Sequence, residues 1–183
     1  MRRILVILLI FLVSAYAFAE QKPAKNILIV YGSFAGSTRE IAEKMKGILE
    51  GMRCRVGLMP ASDRDADLST YDIVVIGSAI RAGKPHPDVL KFVKKNREGL
   101  RLKKTAVFIV CISIISEKPE KRARAGHYPE KLTLGFTPAS KAVFAGVVKD
   151  SGWFANWMIK REFGDYRDWK KIEAWTRSLP GLI

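Results

Sequence analysis

"NILIVYGSFAGSTREI", Asn26 to Ile41, joins a continuous apolar run to a cluster of glycine and hydroxyl residues and then to the start of an amphipathic segment. An apolar run closed by glycine is what a strand covered on both faces requires. Beyond it, Ile41, Ala42, Met45, Ile48, Leu49 and Met52 recur at helical spacing with Lys and Glu between them. That spacing predicts a helix with one apolar face. The cluster between strand and helix admits two readings. Backbone N–H groups at a helix N-terminus, with the helix dipole behind them, hold a phosphate without a cation. Ser33, Ser37 and Thr38 would add hydroxyl donors, and Gly36 would let the backbone approach closely. In the other reading Ser37 or Thr38 caps the helix and Glu40 supports its first turn. No Gly-Lys-Ser/Thr triplet closes the loop and no G-x-G-x-x-G spacing is present, so neither a nucleotide-hydrolase P-loop nor a dinucleotide fingerprint applies.

The alternation continues outward. "CRVGLMPAS" (54–62), "DIVVIGSAI" (72–80), "KTAVFIVCIS" (104–113) and "SKAVFAGVV" (140–148) read as four further strands. "HPDVLKFVKKNREGL" (86–100) and "DWKKIEAWTRSL" (168–179) read as helices, and the polar stretch 117–136 as part helix. Strands alternating with helices imply right-handed crossovers and an α/β fold with a parallel sheet and helices on both faces. Five strands in this length fit the flavodoxin-like order 2-1-3-4-5. In that order Cys54 lies at one edge and Cys111 in strand four, too far apart for the ~7 Å Cα separation a disulfide tolerates, so none is expected. Ligands of such sheets sit beyond the carboxyl ends of the strands where strand order reverses, here between strands one and three. This places 32–38 opposite 77–86 and favours a mononucleotide phosphate site over a plain turn.

The N-terminus is a separate unit. "MRR", the apolar run "ILVILLIFLV" and the small-x-small pattern at Ala17 and Ala19 predict a signal peptide over 1–19, with an uncleaved membrane anchor as the alternative. Residues 4–19 are shorter than the roughly 20 needed to span a bilayer. Residues 20–25 would be a linker and 26–183 one domain, placing the protein outside the cytoplasm or tethered to its membrane. Lys and Arg number 32 against 18 Asp and Glu, a formal net charge of +14. That excess suits an anionic membrane surface or an acidic partner, with a merely soluble basic surface as the alternative. No nucleic-acid module is recognisable, so nucleic acid is not an expected partner. Neither a metal cluster nor a nucleophilic triad is evident, which argues against a hydrolase.

"ILIVYGSFAGSTREIAEKM", "YDIVVIGSAIRAGKPHPDVLKFVKKN" and "EKPEKR", in that order, resemble the flavodoxin superfamily and, within it, the menaquinone-dependent protoporphyrinogen oxidases. The resemblance implies noncovalent FMN and redox chemistry with a redox partner or quinone. By it, Ser33, Phe34, Ala35, Gly36, Ser37 and Thr38 would surround the FMN phosphate. Ser78, Ala79, Ile80, Arg81, Ala82 and Gly83 would run along the isoalloxazine, and Ser113, Ile114, Ile115 and Ser116 would form a third wall. Arg81 would be a cation able to stabilise reduced flavin or a substrate carboxylate, or else a surface arginine paired with an acid. No catalytic residue is singled out. Flavodoxins commonly stack aromatic rings on flavin from the second and third loops, whereas "SAIRAGKPH" and "ISIISEKP" contain none, and Ala82 stands where the oxidases tend to carry an aromatic. A flavin-free exported binding module is therefore the competing reading. In "SGWFANWMIKREF" (151–163), Trp153, Phe154, Trp157 and Met158 share one helical face, with Lys160 and Arg161 close by. Such a face suits a membrane interface or a quinone, or packs on the sheet as core.

Overall fold

The computed structural model describes residues 25–63, 66–133, 135–148 and 163–182. The leader and the aromatic stretch with Trp153, Phe154, Trp157, Met158, Lys160 and Arg161 lie outside the described residues. No described helix is long and apolar enough to cross a membrane.

In chain order the elements are β1 (Asn26–Gly32), α1 (Ser37–Gly51), β2 (Arg55–Pro60), β3 (Ile73–Arg81), β4 (Lys84–Pro85), α2 (Pro87–Lys95) and α3 (Arg97–Arg101). They continue with β5 (Lys104–Val110), α4 (Pro119–Gly126), β6 (Ser140–Phe144), β7 (Val147–Val148), β8 (Gly164–Asp165) and α5 (Trp169–Ser178). The main sheet runs β2-β1-β3-β5-β6, all parallel, which is the predicted order with β4 added as an antiparallel partner of β3. Gly32 pairs with Ser78, and Ala79 with Val110, so the carboxyl ends of β1, β3 and β5 finish at one level.

Both faces of the sheet are covered because successive residues of each strand point to opposite sides and both sets are apolar. Ile27, Ile29, Ile73, Val75 and Phe108 meet Ile41, Met45 and Leu49 of α1 and Ile172 of α5. Leu28, Val30, Val74, Ile76 and Val107 meet Val89, Phe92 and Val93 of α2. Gly77 has no side chain because the Phe108 ring occupies that space. At Gly32 an added Cβ would lie 2.5 Å from Val89 Cγ2 and 2.7 Å from His86 Cβ, so α2 starts directly against the end of β1.

Three boundaries differ from the sequence reading. The fourth predicted strand stops at Val110, and Ile112–Ile115 forms a 3-10 turn. The fifth stops at Phe144, whose carbonyl accepts the Cys111 amide in the last rung; Val147–Val148 then turns away to pair antiparallel with Gly164–Asp165. Strand three runs on to Arg81 because 81–84 forms a two-residue hairpin loop, with Ala82 at φ 48° and Gly83 at φ 73°. Two left-handed central residues match the twist of the flanking strands.

Cys54 and Cys111 are both free and buried, as expected. Burial raises both thiols, Cys111 to about 11. Native protein at neutral pH is expected to leave both thiols unreacted with Ellman's reagent over minutes, and denatured protein to release both. Absence of a titratable thiol after denaturation would show a disulfide.

Candidate functional site

The carboxyl ends of β1, β3 and β5 open into a cavity of about 420 Å³, within the range of small-molecule sites. Its floor is the β1–α1 turn. Gly36 adopts φ 98° and its amide donates to Ser33 Oγ at 3.0 Å, which folds the turn back on itself. The first intrahelical bond runs from the Glu40 amide to the Gly36 carbonyl at 2.9 Å. The amides of Ser37, Thr38 and Arg39 are therefore directed out of the helix end, where the dipole is positive.

No side chain caps α1, so the capping reading of Ser37 and Thr38 is corrected. Ser37 Oγ instead accepts the Val147 amide at 3.2 Å, pinning β7 over the helix end. Thr38 is 1% exposed and lines the cavity, and its Oγ1 has no hydrogen-bond partner. Ser33 and Ser37 are used as acceptors, which leaves each hydroxyl proton available to a ligand. Glu40 does not close a capping box either: its carboxylate binds Arg167 Nη1 at 2.5 Å. Arg167 is held on its other side by Asp165, at 2.8 Å from Nε and 2.6 Å from Nη2, and lies 4.5 Å from the Trp169 ring centroid. Hydrogen bonding from Arg167 holds the Asp165 carboxyl below its ordinary range.

The second loop forms one wall. Ala79, Ile80, Arg81, Ala82 and Gly83 line the cavity. Ser78 does not; it is fully buried, and its Oγ accepts the His86 amide at 2.9 Å, bracing the hairpin from behind. The Arg81 guanidinium lies 4.1 Å from the Phe34 centroid, and the Phe34 and His86 rings are tilted against each other at 4.4 Å between centroids. Neither an acid nor open solvent alone accounts for Arg81; the ring of Phe34 carries it. His86 Nδ1 accepts the Asp88 amide at 3.4 Å and so caps α2. Burial lowers the His86 pKa, with Arg81 adding to the shift and Asp88 opposing it, so its ring is neutral at pH 7.

The third wall is smaller than the sequence reading. Ser113 lines the cavity together with Cys111 and Ile112, whereas Ile114 packs into the core and Ile115 and Ser116 stand outside the lining. Gly36 shapes this floor without itself lining the cavity. Ser33, Phe34 and Ala35, which the resemblance assigns to the phosphate, line the cavity. The remainder is closed by residues the sequence reading did not name: Tyr128, Gly146, Val147 and Val148. Tyr128 is 4% exposed, and Lys131 lies 5.1 Å from its ring centroid while donating to the Gly83 carbonyl at 2.8 Å. An aromatic wall is thus present, supplied by Phe34 of the first loop and Tyr128 beyond α4. The only sequence signal for Tyr128 was its standing as the one Phe, Trp or Tyr between Glu117 and Thr133.

Chemically the cavity offers amides and hydroxyls for an anion at one end and apolar walls with one cation at the other. Its position at the reversal of strand order, on this sheet, defines a flavodoxin-type α/β protein. A sequence model of the flavodoxin domain matches residues 28–162, and the chain belongs to that family. It is similar to the protoporphyrinogen IX dehydrogenase [quinone] of Escherichia coli (strain K12), 29% identical over 174 residues, covering 85% of this chain and 94% of that protein. The fold is similar to oxidised flavodoxin 1 from Bacillus cereus, with a TM-score of 0.61 at 18% identity over 87% of this chain and 99% of that one. Flavodoxin 2 from the same organism gives 0.57 at 20% identity, over 87% and 100%. Among the described residues no group of acidic, His and Cys side chains could hold a metal ion.

Proposed function

We propose that the chain binds FMN in this cavity and acts as a redox flavoprotein that exchanges electrons with a quinone. The observation that carries the reading is Thr38: a buried hydroxyl without a partner, beside the outward amides of α1 and open to the cavity. A buried polar group left unpaired is destabilising by about 1–3 kcal/mol; Thr105 Oγ1 is unpaired too, at the far end of β5, and Thr38 is singled out by standing beside outward helix amides in this cavity. A phosphate would give it a partner. Ser33, Ser37 and Thr38 would hold it; Ile80, Tyr128 and Val147 would flank the flavin ring; Arg81 would offset negative charge on the reduced form. Bound FMN would supply the electron-carrying chemistry, and the protein its position and electrostatics. Tyr128, from outside the second and third loops, offers the cavity an aromatic ring and supports the flavin reading over a flavin-free module.

The test is reconstitution with FMN followed by removal of the hydroxyls. Hydrogen bonds to charged groups are worth about 1.5–3 kcal/mol, so Ser33→Ala with Thr38→Val is expected to weaken FMN binding at least tenfold. Unchanged affinity would return the stretch to being a turn.

A narrower reading, oxidation of protoporphyrinogen with a quinone acceptor, is supported by the similarity to the E. coli dehydrogenase. It requires turnover of that substrate by the FMN-loaded protein. Loading without turnover would eliminate it and leave the broader one standing.

A further inference from the structure

Among the described residues, one flank of the cavity mouth carries a cluster of exposed cations. The β3–β4 hairpin, the turn at 128–132 and α4 pack side by side, and Ile112–Ile115 lies beneath α4. This flank exposes Arg81, Lys84, Lys118, Lys121, Arg124 and Lys131. None of the six makes an ion pair among the described residues, although α1 and α5 pair Arg39 with Glu43, Lys46 with Glu50 and Arg177 with Glu173. The acids interspersed with them are Glu117, Glu120 and Glu130, the last facing His127 at 3.3 Å. Arg122 does not draw on them, donating instead to the carbonyls of Ser116 and Glu117. Uncompensated cations on one side of a site steer oppositely charged partners and fix their orientation.

We propose that this flank docks an acidic protein partner beside the cavity mouth. Two observations favour a protein over a lipid surface. The exposed large apolar side chains of the described residues are Met52, Leu102, Phe163 and Trp169, and none belongs to this flank. A surface that inserts into a bilayer combines cations with such side chains, whereas an acidic protein face needs only the cations. Lys131 and Arg81 are also fixed, one on the Gly83 carbonyl and one on the Phe34 ring, so their charges are held at the mouth before a partner arrives.

The docking goes beyond the FMN reading and does not depend on flavin being loaded. The probe is a plant-type ferredoxin, an acidic protein, titrated calorimetrically into apo and FMN-loaded full-length protein, with cytochrome c as the basic control. Ferredoxin is expected to bind at low ionic strength and cytochrome c not, with the affinity lost near ~0.5 M salt. Lys121→Glu with Arg124→Glu should weaken ferredoxin binding about tenfold or more, and Arg55→Glu with Lys104→Glu, at the opposite ends of the strands, less than about twofold. These side chains are exposed, and unchanged circular dichroism and Tm confirm folding. Equal weakening by both pairs, or no ferredoxin binding, overturns the assignment. So does charge-dependent binding of phosphatidylglycerol vesicles through Lys121 and Arg124 without ferredoxin binding, which would make the flank a membrane surface. Ferredoxin binding with this dependence in protein that never takes up FMN would uphold the docking and defeat the flavin reading.

Discussion

Gly77→Ala should lower stability by about 2–3 kcal/mol or more, the upper end of overpacking effects, although it adds a single methyl group. That methyl would fall inside the van der Waals envelope of the Phe108 ring, which is fully buried. The ring cannot swing aside freely, because Phe144 and Trp175 sit 6.3 and 6.1 Å from it between centroids. Nor can β3 retreat, since Gly77 lies between Tyr31 and Phe108 in the ladder. Urea midpoints check the effect, and Phe108→Leu separates its cause. If the clash is with the ring, Gly77→Ala with Phe108→Leu should be less destabilised than the sum of the single changes. Additivity, or a loss below about 0.5 kcal/mol for Gly77→Ala alone, would show that the core there is slack.

The second large effect is at Arg167. Its side chain is 10% exposed, between Glu40 at 44% and Asp165 at 45%. Breaking a buried pair leaves charge uncompensated at about 3–5 kcal/mol, but the half-exposed acids are hydrated, so about 1–2 kcal/mol is expected for Arg167→Met. The pH dependence identifies the mechanism. Asp165 has its folded pKa depressed, chiefly by the Arg167 hydrogen bond. A depressed carboxyl contributes stability that is present above its unfolded value, about 3.9, and is lost as pH falls through the folded one. The gap between wild type and variant should therefore be constant from neutrality to about pH 5 and shrink below it. Asp67 and Asp168 are also depressed, by other partners, and cancel in the difference. A gap unchanged at pH 3 would mean that Arg167 acts through its contact with Trp169 instead.

The parallel sheet was legible because two-sided burial writes itself as unbroken apolar runs, and Ile27 to Val30 and Ile73 to Ile76 are such runs. The floor of the site followed from its place after β1. What local pattern could not show was competition from distant chain. In the turn reading Ser37 and Glu40 would be capping residues, yet Val147 and Arg167 take their side chains. Ser78 looked like a wall residue and is a brace for His86, a distinction set by which face of the strand end it occupies. The hairpin at 82–83 escaped notice because an alanine, not Asn or Asp, takes the first left-handed position. Tyr128 escaped because it comes from a short turn with little periodic pattern.

The partners of the β1–α1 turn have a consequence for timing. Val147 is 110 residues from Ser37, and Arg167 is 127 residues from Glu40. Closures that long bring their reward only after the intervening chain has been ordered. During synthesis the first βα unit emerges well before the segment that roofs it. The wall that Val147 contributes is thus in place only once that distant segment has docked on the helix end, so the complete cavity belongs to the folded chain and not to its first βα unit.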